Sequence, residues 1–208
     1  MIPVETITAF FLASLLLALA PGPDNLFVLT QSALFGRSAG FTVTLGLCTG
    51  LTVHTAAVAL GVAIIFQASP LAFLFLKILG AGYLLYLAWQ AFRASALRLE
   101  GEKDRNPGLG RLYRRGILMN LTNPKVSLFF LAFLPQFTDP ARGPLSLQMM
   151  VLGGIFIIST VLVFGGVSLL AGTLGHWLSR SPKTQHIMNR LAGLVFLGLA
   201  LKLATAKL

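Results

Sequence analysis

Charge is scarce in this chain. Lys, Arg, Asp and Glu together make up 11% of its 208 residues, against roughly 25% in an ordinary soluble domain. A soluble protein needs charge to cover its surface, so the deficit excludes a soluble globular domain. Acid is scarcer still: 6 Asp and Glu stand against 16 Lys and Arg, for a net charge of +10. That cationic excess is read as holding loops on the cytoplasmic side of a membrane, not as a nucleic-acid surface. The single cysteine, Cys48, cannot form an internal disulfide. Glu5 is the only charged side chain before the first apolar run, so the positive start of a cleavable signal peptide is missing and none is expected. Neither a metal site nor a cofactor is expected, because no Cys–His cluster accompanies the few acids. H-E-x-x-H and G-x-S-x-G are absent and no second membrane aspartate pairs with Asp24, which argues against an enzyme.

What the chain does have is apolar sequence. Hydrophobic residues make up 56%, and the mean hydropathy is +0.83. A membrane span needs about 20 mostly apolar residues, and six runs of that kind follow one another, near 7–35, 41–66, 71–92, 117–137, 147–174 and 191–204. They are continuous, not alternating, and too long for barrel strands of about 10 residues. The expected fold is an all-α membrane protein of about six transmembrane helices. It leaves no room for a second domain. Lys and Arg set the orientation. Eleven fall near Arg37, between Arg93 and Arg115, and between Arg180 and Arg190; three fall on the other side, at Arg142, Lys202 and Lys207. The first group is placed in the cytoplasm, as in a bacterial-type inner membrane, with both termini outside. If the first run is a hairpin and not one broken helix, the N-terminus moves inside and the rest stays.

The chain also repeats itself. Pro23-Asp24 and Pro124-Lys125 lie 101 residues apart, in the first and fourth spans; Leu79-Gly80-Ala81 and Leu191-Ala192-Gly193 lie 112 apart, in the third and sixth. Each half holds three spans, an odd number, so the halves enter the membrane in opposite senses. Two inverted three-helix repeats are the architecture of many secondary transporters. Repeat one covers about 1–93, a cytoplasmic linker about 94–116 and repeat two about 117–208, all in one transporter domain spanning 1–208.

Both first helices of the repeats are broken. Pro21-Gly22-Pro23 removes backbone donors and should stop a helix, which restarts with Pro23 at its first position. Asn123-Pro124 reads the same way, with Asn123 as cap. Irregular backbone at membrane depth survives only inside protein or along a wet cavity, so both breaks point inward. Half-helix ends offer carbonyls to a cation, and half-helix starts offer N–H groups to a carboxylate. Beside the breaks stand Asp24 and Lys125, and a charge at mid-membrane costs about 2.5–3.5 kcal/mol on insertion scales. One reading is a plain salt bridge between the two; in the other, Asp24 meets a substrate ammonium or a proton and Lys125 a carboxylate; a pair that opens for substrate would do both. Asn25, Asn120 and Asn123 add neutral donors and acceptors nearby.

Pro-Gly-Pro-Asp-Asn-Leu at 21–26, Gly36-Arg37 with Gly40, Gly46 and Gly50, and Asn-Pro-Lys at 123–125 leading into Phe129-Phe130 and Phe133-Leu134-Pro135-Gln136-Phe137 together resemble the lysine-exporter superfamily, in its LysE/RhtB branch. The resemblance runs through nearly the whole chain. It implies efflux of amino acids or derivatives in exchange for protons, with Pro21, Gly22, Pro23, Asp24, Asn123, Pro124 and Lys125 as the carried-over site. With one acid in a span core, neutral substrates such as threonine, homoserine or leucine fit better than a dibasic one. A basic amino acid, a non-amino-acid solute and a passive channel remain alternatives. The partners expected are an amino acid, protons and lipid, with a homo-oligomer left open.

Among the remaining residues, His54 is either a proton relay, its ordinary pKa being near 6.5, or a hydrogen-bonded packing residue. Lys77 is expected to snorkel to the interface. Gly36-x-x-x-Gly40 and Gly46-x-x-x-Gly50 have the spacing of close helix packing. Tyr86 and Trp89 read as interfacial anchors. Phe129 and Phe130 are bulk or the wall of the site.

Overall fold

The computed structural model describes residues 2–62, 70–94, 108–180 and 182–205. Among these residues eight α-helices follow one another. α1 (Val4–Leu19) and α2 (Pro23–Phe35) are joined by a bend of 60°. α3 (Arg37–Ala57) runs on through a π turn at Val58–Val62, and α4 spans Pro70–Arg93. α5 (Leu109–Leu121) bends by 49° into α6, which starts as Pro124–Leu128 and continues through a π turn (Phe129–Phe133) and a 3-10 turn (Leu134–Phe137). A 3-10 turn at Pro140–Arg142 leads to α7 (Leu145–Arg180) and α8 (Pro182–Thr205). Among the described residues, four segments are long and apolar enough to cross a membrane: Arg37–Gly61, Leu74–Arg93, Leu145–Ala171 and Gln185–Thr205; the two bent pairs bring that number to six. This is the multi-pass, all-helical architecture expected, with the first and fourth spans broken.

The packing follows the inverted repeat. Each repeat's second helix lies against the other repeat's broken helix: α3 along α5, and α7 along α1 and α2. The third helices, α4 and α8, lie along each other. Glycine permits these approaches. A Cβ on Gly46 would stand 3.1 Å from the Gly116 Cα, so α3 and α5 touch backbone to backbone there. One turn further on, a Cβ on Gly50 would meet the Asn120 side chain at 2.7 Å. Of the paired motifs of the third spans, Gly193 lies against Phe92 at the α4–α8 contact, while Gly80 meets first Ala132 of the turn that continues α6 and then Leu203 of α8. The close approaches at Gly40, Gly46 and Gly50 are all within the chain, whereas Gly36 meets nothing and serves a left-handed turn at φ +84°.

Two boundaries and one side chain differ from the reading of apolar runs. α5 begins at Leu109, inside the segment expected to be linker, because Leu112, Gly116 and Asn120 recur every fourth residue and give the basic stretch a buried face. Arg111, Arg114 and Arg115 stay exposed on the other side. Linker positions 95–107, with Arg98, Lys103 and Arg105, lie outside the described residues. The polar stretch 176–189 is helical on both sides of position 181, since its only strong breaker, Pro182, sits where a helix starts. Finally, Lys77 is 9% exposed and does not snorkel. It shares the buried face of α4 with Gly80, Leu84 and Ala88, so helical register turns it inward. Tyr86 and Trp89 are exposed, and Arg93 lies 4.8 Å from the Trp89 ring centroid.

Candidate functional site

Each break is made by its own residues. At the first, α1 ends at Leu19, and Gly22 is the extended residue before Pro23, which opens α2. Proline fits a first helical position because the N–H it lacks would have no helical partner. At the second, the Asn123 side chain accepts a hydrogen bond from the Lys125 backbone N–H at 3.0 Å, capping α6, and Pro124 takes the first position. Lys125, beside the second break, reaches the Leu17 and Ala20 carbonyls at the end of α1, and Asp24, beside the first, accepts from Asn120 of α5. The breaks therefore meet in the middle.

There the side chains of Asp24 and Lys125 are buried, at 3% and 6% exposure. Both line one small cavity of about 20 Å³, closed by Leu51, Phe156, Thr160 and Phe164, with room for about one water molecule. They do not make an ion pair, so the plain salt bridge is not what holds them. Asp24 Oδ2 instead accepts from Asn120 Nδ2 at 3.2 Å. The Lys125 ammonium donates to the carbonyls of Ala20 at 3.0 Å and Leu17 at 3.3 Å. Those are the free carbonyls at the end of α1, and a cation there is favoured by their partial negative charge. The chain thus places its own lysine on the carbonyls that the sequence offered to a cation. Gly22 makes room for it, since a Cβ there would lie 3.0 Å from Lys125 Nζ.

Four buried atoms at the two breaks have no hydrogen-bond partner: Asp24 Oδ1, Asn25 Oδ1, Asn120 Oδ1 and Asn123 Nδ2. Unpaired buried polar atoms are costly, about 1–3 kcal/mol each. Two of them, on Asp24 and Asn120, belong to residues that line the small cavity and mark a place suited to a polar visitor. His54 joins this group indirectly. Its Nε2 donates to the Asn120 backbone carbonyl at 3.3 Å, and its ring lies 5.6 Å from that of Phe130. A chain therefore runs from His54 through Asn120 to Asp24. Among the described residues, no group of His, Cys, Asp and Glu is arranged to hold a metal ion.

Not every expected residue meets this cavity. Pro21 and Asn25 face a different and larger one, of about 410 Å³, between α2, α7 and α8. Asn25 Nδ2 donates to the Ala18 carbonyl at 2.6 Å, bridging the break. The crevice is mostly apolar, and Gln185 and Asn189 bring amide groups to it from α8. Sequence reasoning missed both, because they fall between the last two apolar runs. The walls of the small cavity are Phe156 and Phe164 of α7, not Phe129 or Phe130, which pack into the core. A helical register for α7 would have been the only signal for them.

Comparison with known proteins agrees with this architecture. The LysE type translocator family model matches residues 15–207. A homoserine/homoserine lactone efflux protein of Salmonella typhimurium is 35% identical over 199 residues, covering 96% of each chain. An uncharacterized membrane protein of Vibrio cholerae is 34% identical over 199 residues with the same coverage. A further uncharacterized membrane protein, from Pseudomonas aeruginosa, is 36% identical over 224 residues, covering 99% of each chain. No solved structure matches. On the family match and these identities, the chain belongs to the LysE type translocator family.

Proposed function

We propose that this translocator exports neutral amino acids or their derivatives, of the threonine, homoserine or leucine class, across the inner membrane by proton antiport. The observation that carries the proposal is the meeting of the two breaks, with Asp24 and Lys125 buried on one cavity where Asp24 Oδ1 and Asn120 Oδ1 have no hydrogen-bond partner. In this reading residues 1–208 form a single transport unit. Repeat one extends to about 93, a cytoplasmic linker follows, and repeat two runs from α5 to the end. The loops rich in Lys and Arg face the cytoplasm.

The roles follow from chemistry. Asp24 receives the substrate ammonium or, on the return step, a proton, and His54, which Asn120 links to it structurally, is the second group that can take up a proton. Lys125 answers the substrate carboxylate. Pro21, Gly22, Pro23, Asn123 and Pro124 hold the backbone breaks open, and Asn25 and Asn120 orient the solute. The single carboxylate at the centre favours substrates with one ammonium. Among the described residues, the lining of the larger crevice brings the amides of Asn25, Gln185 and Asn189 and no charged side chain, which suits a neutral solute side chain. The efflux relatives named for homoserine and its lactone support the same class.

The test is export from cells lacking their own exporters, loaded with a panel of dipeptides. Faster appearance of one or a few neutral amino acids in the medium, abolished by collapsing the proton gradient, is the expected result. Export of lysine or arginine alone would move the reading to a basic substrate. No effect on any amino acid, with the protein present in the membrane, would move it to another solute. Export indifferent to the gradient would point to a passive channel.

A further inference from the structure

The position of the Lys125 ammonium says more than that a cation belongs at the end of α1. Lysine carries the functional group that every amino-acid substrate also carries, a primary ammonium. Here it lies on two helix-terminal carbonyls, Leu17 and Ala20, in a cavity that also presents the Asp24 carboxylate. The second oxygen of that carboxylate is buried without a partner. The remaining space, about 20 Å³, is far too small for an amino acid, so a solute entering the cavity must displace something. The lysine is the group to move: its side chain arrives from the other repeat, 105 residues along from Ala20, on a flexible four-carbon stem. The carbonyls are fixed by α1.

We propose that the Leu17 and Ala20 carbonyls, with Asp24 beside them, form a seat for a primary ammonium, and that Lys125 occupies it as a tethered stand-in that the substrate amine displaces. The inference rests on the transporter reading above and deepens it. The displaced Lys125 ammonium is then the group left to meet the substrate carboxylate. The empty carrier is held closed by its own lysine across the two repeats, and a solute opens that contact only by replacing it. Gly22 is a positioning residue of the seat, because a side chain there would crowd the ammonium.

An amine without a carboxylate separates this from a lysine that only binds carboxylates. The purified full chain in lipid nanodiscs, as wild type, Lys125→Met and Lys125→Ala, is titrated with propylammonium chloride, with tetramethylammonium chloride as the cation lacking N–H donors. A vacated seat binds propylammonium about tenfold tighter than the wild type does, the size of one charge-assisted hydrogen bond. Both variants melt lower than wild type, and propylammonium restores them while tetramethylammonium does not. Equal propylammonium affinity in wild type and both variants overturns the seat. The wild-type chain gives a second test that needs no substitution, a structure with transported solute bound. The seat requires a solute nitrogen within hydrogen-bond distance of the Leu17 and Ala20 carbonyls and Lys125 moved off them; solute bound with Lys125 still on both carbonyls overturns it. If cells export amino acids but the variants gain no amine binding, the seat alone falls. If the variants gain amine binding but cells export no amino acid, the seat stands and the substrate class falls.

Discussion

Replacing Gly46 by alanine puts a methyl group into the backbone of the helix that α3 crosses. The new Cβ would overlap the Tyr113 carbonyl oxygen and lie 3.1 Å from both the Gly116 Cα and the Ile117 N. All three are main-chain atoms of α5, and none can rotate away. The helices must part, and overpacking of this kind costs about 1–3 kcal/mol. At about 2–4 °C per kcal/mol for a soluble chain of this size, the midpoint of thermal unfolding in detergent should drop by several degrees. The control is Gly154→Ala in α7, where an added Cβ meets nothing within 4 Å. There the better helix propensity of alanine, up to about 1 kcal/mol, should leave the midpoint unchanged or slightly raised. Export should fall with Gly46→Ala as well, because Asn120 lies one turn beyond Gly116 on α5 and holds Asp24 at 3.2 Å. If Gly46→Ala melts with Gly154→Ala, the α3–α5 crossing is not as close as described and the reasoning fails.

Three further outcomes are expected. Asp24→Asn keeps an acceptor for Asn120 but removes the charge, so amounts in the membrane should match wild type while export is lost; export at the wild-type rate would remove Asp24 from the site. Asn123→Ala deletes the cap of α6 and should cost about 1 kcal/mol of thermal stability, with Asn123→Asp recovering most of it; an unchanged melting point for the alanine variant would show that the cap contributes nothing. His54→Gln preserves a donor toward the Asn120 carbonyl but cannot take up a proton, so the fold should persist while export loses its dependence on the proton gradient; a wild-type gradient response would reduce His54 to a packing residue.

The breaks were legible because proline acts locally. Pro23 and Pro124 each open a helix, and Asn123 caps one, as backbone chemistry requires wherever those residues occur. The glycine spacing likewise announced close helix contacts, though not which helix each glycine would meet. Apolar runs were a poorer guide to helix ends. They report what lies in lipid, whereas the start of α5 is a basic turn that packs one face on protein, and α8 begins in polar sequence. The same limit hid Lys77, whose depth was legible but whose side of the helix was not. Least legible was the partner of Lys125. A hydrogen bond to a carbonyl 105 residues away leaves no local trace, because the accepting group is the backbone of an alanine.

The two ends of the central cavity are not alike, although the repeats that build them are. On the side of α2 the crevice of about 410 Å³ reaches the break at Pro21. On the side of α6 the way is filled with phenylalanine rings. Phe156, on the wall of the small cavity, lies 5.1 Å from Phe129; Phe129 lies 4.9 Å from Phe133; and Phe137 lies 5.1 Å from both Phe133 and Phe10. Beyond Phe137 opens a cavity of about 450 Å³ with Glu5, Arg142 and Lys202 on its walls. A solute leaving by that end must part these rings, and in an inverted repeat it does so by exchanging the packing of the two halves. Single cysteines placed in a Cys48→Ala background read this out. At rest, Leu26→Cys in the crevice should react with a water-soluble thiol reagent added from the basic-loop side, while Phe133→Cys, fully buried, should not react from either side. During export, labelling at position 133 from the Lys202 side should rise and labelling at position 26 should fall. If position 133 reacts at rest as fast as position 26, the rings are not a closed end. If neither changes during export, the two halves do not exchange roles and the path lies elsewhere.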